Sequence, residues 1–150
     1  MPDPKPSIRR DHDVGERVAY DQLQCYTLAH GGSAFIHQYV VDAWAAQHAD
    51  GRTKPITLTF ALVGLFLHVE KGYTGRRVQQ VHVFLAKHKM KFPVLVLPAG
   101  RGTLRASHVM AATAGPERAR AIDAWCASVW AAFRENRAAV VEFLESAGIP

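Results

Sequence analysis

The chain has 150 residues, 49% hydrophobic and 21% charged, with a formal net charge of +5. That length suits one buried core, and the composition excludes a disordered polymer. The basic residues are scattered over Arg9-Arg10, Arg76-Arg77 and Lys87 to Lys91 and form no dense stripe interleaved with aromatics, which argues against a nucleic-acid groove.

In chain order, residues 1–17 hold three prolines and many charges and read as a flexible N-terminal tail, leaving 18–150 as a single helical domain. The first helix is expected from about Glu16 to Ala29, stopped by Gly31-Gly32. Ser33 is the expected cap of a second helix, AFIHQYVVDAWAAQH, that reaches about Asp50. Gly51 breaks the chain, Thr53 caps a third helix with Pro55 in its first turn, and that helix runs to Lys71. Thr74 or Gly75 opens a fourth helix ending near Lys89. Residues 91–102 carry five apolar residues between two prolines but have no partner strand, so they read as an extended segment laid across the bundle. Thr103 caps a short helix to about Ala112, and Gly115-Pro116-Glu117 starts a long final helix ending near Gly148. Its apolar stripe of Ile122, Trp125, Cys126, Val129, Phe133, Val140 and Leu144 has the helical period. The expected fold is all-α: an up-and-down bundle of four long helices plus one short helix, with 91–102 as a crossing segment. Trp44, Phe60, Leu67, Val81, Leu85, Trp125 and Val129 are the expected core.

Cys25 and Cys126 are too few for a disulfide framework and read as cytoplasmic thiols. The polar N-terminus has no apolar run and reads as neither signal peptide nor anchor. The longest apolar stretch, Ile56 to Val69, falls short of the roughly 20 residues a membrane span needs.

Some polar residues fall on faces that should be apolar. At 100° per residue, His37, Val41, Trp44 and His48 share a face of the second helix, and Thr57, Ala61, Gly64 and His68 one of the third. Val78, Val81, His82 and Leu85 share a face of the fourth. His37, His68 and His82 therefore look inward from three successive helices. Three such imidazoles are the ligand set of a metal centre in a bundle core, with zinc, nickel or iron as the divalent transition metal. Asp42 and Glu70 are the nearby carboxylates, each placed to orient an imidazole or to serve as a further ligand. Trp44 and Asn136 are the residues expected against a small-molecule ligand. The competing reading is that each histidine is a hydrogen-bonded core residue with no metal. There is no HExxH or paired CxxC motif, no G-x-S-x-G elbow and no phosphate-binding glycine loop.

The stretch HQYVVDAWAAQH (37–48) resembles a family of small bacterial proteins known only as a domain of unknown function. The likeness runs on through LVGLFLHVEKG, VHVFLAKHK, FPVLVLP and AIDAWCASVWAAF, covering about residues 20 to 145. Some relatives in that family carry an additional N-terminal CxxC pair that this sequence lacks, so no zinc ribbon carries over. The resemblance implies one bacterial helical domain and no reaction. Two functions follow as expectations: a helical bundle with a metal or small-molecule site in its core, or a non-catalytic binding module whose histidines are structural.

Overall fold

The computed structural model describes the backbone of residues 6–30, 32–88 and 90–149, and the side chains from Val14 onward apart from Ser33 and Lys89. Helix makes up 71% of the chain and no strand occurs among the described residues. Among the described residues seven α-helices follow one another: α1 (Pro6–His30), α2 (His37–Gln47), α3 (Pro55–Val69), α4 (Gly75–Lys87), α5 (Ala106–Ala111), α6 (Pro116–Ala132) and α7 (Arg137–Ser146). No helix among the described residues is long and apolar enough to cross a membrane.

The first helix begins well before the expected Glu16, so the backbone of residues 6–17 is helical rather than an irregular tail. Among the described side chains, Glu16 ties this helix to α5. Glu16 is 5% exposed, and its carboxylate takes the Ser107 amide at 3.3 Å and the Ser107 hydroxyl, which locks α1 onto the first turn of α5. Residues 1–5 and the side chain of Ser33 lie outside the described residues. Helix α2 opens instead at Ile36, without a side-chain cap. Phe35, just before it, has φ +53, and its carbonyl sits where a Cβ on Gly75 would be, so only glycine lets α4 start there.

Pro55 takes the first turn of α3 as expected, but Lys54 is the N-cap, and Thr53 turns back to accept the Asp50 amide at 2.9 Å. Thr74 caps α4 by accepting from the Arg77 amide at 3.2 Å. Thr103 does not cap α5. Arg105 is the N-cap residue, and its amide donates to His108 Nδ1 at 2.9 Å.

The expected long final helix is two helices. Phe133 ends α6, a 3₁₀ turn follows over Arg134–Asn136, and α7 begins at Arg137. The stripe nonetheless stays buried from Ile122 to Leu144. The break has a cause in Asn136, which is 3% exposed: its side chain accepts the Val96 amide at 2.6 Å and donates to the Val96 carbonyl at 2.8 Å. A short amide that serves another segment competes with its own helix. Segment 91–102 lies over the helices at the surface with no strand partner among the described residues, tied by Asn136 and by Arg101, which donates to the Ala49 carbonyl just past α2 (3.0 Å). Leu67, Leu85, Trp125 and Val129 are buried as expected, while Trp44, Phe60 and Val81 are only partly so.

Candidate functional site

Helices α2 and α3 pack against each other, with Asp42 in the seam. Asp42 of α2 is 4% exposed and lies against Gly64 of α3, where a Cβ would collide with its carboxyl. The small residue in the α3 face is there because the carboxyl fills the space. Gln38 donates from Nε2 to Asp42 Oδ1 at 3.1 Å, one helical turn earlier on the same face. Asp42 Oδ2 is buried with no donor. Burial pushes this carboxyl well above the usual carboxylate range, and the Gln38 bond only partly offsets that.

The same Gln38 Nε2 lies 3.3 Å from His82 Nδ1 on α4, and His82 Nε2 lies 2.8 Å from the carbonyl of Phe60 on α3. A carbonyl only accepts, so His82 carries its proton on Nε2. Its ring also stacks on Phe60 at 5.2 Å. Burial holds this histidine below its ordinary pKa, against the pull of the Phe60 carbonyl. Asp42, Gln38, His82 and the Phe60 carbonyl are therefore one polar chain linking α2, α3 and α4.

The other two inward histidines go elsewhere. His37 pairs through Nδ1 with the buried Thr27 hydroxyl of α1 at 2.9 Å, and burial lowers its pKa. His68 pairs through Nε2 with Asp123 of α6 at 3.0 Å and stacks face to face on Tyr39 at 3.4 Å. Among the described residues no three His, Cys, Asp or Glu side chains are grouped to hold a metal ion. The expected centre of His37, His68 and His82 with Asp42 or Glu70 is not assembled, because the three faces turn toward different neighbours. Of the five, the structure links only Asp42 and His82, through Gln38.

Glu70 follows α3 and belongs to a different patch. It accepts from Trp130 Nε1 at 2.7 Å and from Arg137 at 2.9 Å, and the Arg137 guanidinium holds its carboxyl below the usual range. Trp44 is stacked between Tyr20 (4.2 Å) and His48 (3.6 Å), so the protein's own rings cover its faces. Asn136 is committed to the Val96 backbone.

Two groups escaped the sequence reading. Gln47 is 5% exposed: its amide donates to the Leu104 carbonyl at 2.7 Å and accepts from Trp125 Nε1 at 3.0 Å, tying α2 to α6 and to the start of α5. The second is a repeated helix ending in which an aromatic ring precedes a histidine by four residues. Tyr26–His30, Trp44–His48 and Phe84–His88 each place the ring near the imidazole, with Nδ1 at 2.7–3.1 Å from the aromatic residue's carbonyl. That spacing is visible in the sequence and marks helix ends rather than ligands.

Two shallow grooves of about 360 and 340 Å³ flank Phe92, Pro93 and Val94. Val94 protrudes between them, 94% exposed, with Val96 and Leu97 beside it. Neither a curated protein nor a solved structure matches the chain. The chain does belong to the family described as Family of unknown function (DUF5946), whose model matches residues 17–134.

Proposed function

We propose that this protein is a non-catalytic interaction module, an up-and-down helical bundle of the cytoplasm whose core histidines bind helices to one another. The observation that carries this is the separate commitment of the three histidines: His37 to Thr27, His68 to Asp123, and His82 to Phe60 and Gln38. An imidazole hydrogen-bonded to a protein partner can be buried without a metal. The free thiols Cys25 and Cys126 suit a reducing compartment.

The partner in this reading is a second copy of the chain. Val94 is an apolar knob between two grooves, so a two-fold axis lets each copy seat its knob in a groove of the other. Lys91 and Glu142 line the same groove, so the axis also sets opposite charges across the interface. Val94, Val96 and Leu97 together form a contiguous exposed apolar run, the kind of surface that marks an interaction site.

Two measurements test the reading. Protein purified without a histidine tag is expected to carry no stoichiometric transition metal and to melt identically with and without chelator; a bound metal lost together with stability would overturn the structural role of the histidines. Sedimentation over rising concentration is expected to show a dimer that Val94→Lys converts to monomer with unchanged circular dichroism. A parent chain that stays monomeric throughout would refute the self-pairing.

A further inference from the structure

We propose that the outer face of α4 docks this protein on an anionic lipid surface, with Arg76, Arg77 and Lys87 against the headgroup phosphates and Val83 and Phe84 inserted between them. The charge distribution comes first. From Lys71 to Pro116 the chain carries eight of its 18 lysines and arginines and none of its 13 aspartates and glutamates, so its net positive charge comes entirely from this stretch. Helix α4 turns part of that stretch into a surface. At 100° per residue, Arg76, Arg77, Gln80, Val83, Phe84 and Lys87 fall within an arc of about 120°. All six are exposed, while Val78 and Leu85 on the other side are buried in the core. The cations stand at the two ends of the face, about 16 Å apart along the helix, and bracket the apolar pair.

The state of the two arginines points outward. Both lie in the first turn of α4, where the helix macrodipole disfavours a cation. No carboxylate pairs with Arg76, Arg77 or Lys87 among the described residues. Aromatic rings carry the arginines instead: the Arg76 guanidinium is 5.3 Å from the Phe35 ring and that of Arg77 is 3.8 Å from the Tyr73 ring. A guanidinium stacked on a ring still has its N–H edge to offer to an external anion.

The shape of the face selects lipid among anionic partners. Val83 and Phe84 are 49% and 41% exposed and stand out from the helix. A folded protein or a duplex must supply a preformed hollow for such side chains, whereas a headgroup layer opens around them. Beside Phe84 runs a shallow trough that includes Tyr73, Val81 and Ile149 and no acidic residue, which widens the apolar contact. The contact is peripheral, since no helix among the described residues is long and apolar enough to cross a bilayer. None of the six face residues lines the grooves beside Val94, so this surface is distinct from the one assigned to self-pairing.

The test is co-sedimentation of the full chain with vesicles of equimolar phosphatidylserine and phosphatidylcholine, and with vesicles of phosphatidylcholine alone. Binding is expected to the first and not to the second, and to fall as salt rises. Arg76→Gln and Lys87→Gln are each expected to weaken it about fivefold, from roughly 1 kcal/mol per cation near a charged surface. Phe84→Ser is expected to weaken it at low and high salt alike, because it removes insertion rather than charge. No sedimentation with the anionic vesicles would overturn the proposal and leave an acidic protein as the occupant of this face. Equal binding to both kinds of vesicle, or binding that neither cation substitution reduces, would overturn it as well. Duplex DNA bound as tightly as the anionic vesicles, with Phe84→Ser without effect on either, would mark a general polyanion surface and equally contradict it.

Discussion

Asp42 and Glu70 are two carboxylates that look interchangeable in the sequence, each beside an inward histidine, and the fold gives them opposite chemistry. Asp42 sits in the α2–α3 seam with a single amide donor and one bare oxygen, and burial raises its pKa. Glu70 sits at the rim, where the Arg137 guanidinium and the Trp130 indole supply donors and lower its pKa. The number of donors within reach decides the sign, because an unmet carboxylate in a dry seam prefers its proton and a well-met one gives it up.

The largest effect is expected on the buried side. Trp125 is fully buried and its indole satisfies Gln47, so Trp125→Ala should cost about 3–5 kcal/mol in denaturant unfolding, at the upper end for core truncation. An unchanged midpoint would mean the α2–α6 contact is not part of the core. Gly64→Ala comes next. Its new methyl meets the Asp42 carboxyl, so a loss of about 1–3 kcal/mol is expected despite alanine's better helix propensity. If that variant is as stable as the parent, the seam is looser than described.

The comparison is sharpest in its pH dependence. Folded Asp42 keeps its proton to higher pH than it does unfolded, so the native state binds more protons across that window and stability falls as pH rises above about 4. Asp42→Asn removes that slope and should gain on the parent as pH rises through the window between the unfolded and folded pKa of Asp42. Glu70 runs the other way, since its folded pKa is depressed and its contribution, present above about pH 4, is lost as pH falls. Glu70→Gln should therefore be the mildest change, small at neutral pH, absent in acid and reduced by salt, because Arg137 is solvent-exposed.

Much of the fold was legible because the signals were local. Pro55 in the first turn of α3, Thr74 capping α4 and the stripe from Ile122 to Leu144 all depend on nearest-neighbour chemistry, and they hold. The Glu16–Ser107 contact was hidden because it joins residues far apart in the chain. The break after α6 was hidden for a similar reason: Asn136 sits on the stripe, yet its side chain serves Val96. At the site, helical periodicity correctly turned His82 inward but could not tell which neighbour it would meet. A face gives direction and not partner. The Gln38–Asp42 spacing of four was a local signal that attention to histidines obscured.

The central claim, that donor supply gives the two carboxylates opposite behaviour, is tested most directly by a carboxyl carbon NMR titration resolving Asp42 and Glu70 in one spectrum. The account predicts that Glu70 ionises below the usual carboxylate range and that Asp42 keeps its proton well above it. Coincident titration, or Asp42 ionising first, would contradict it.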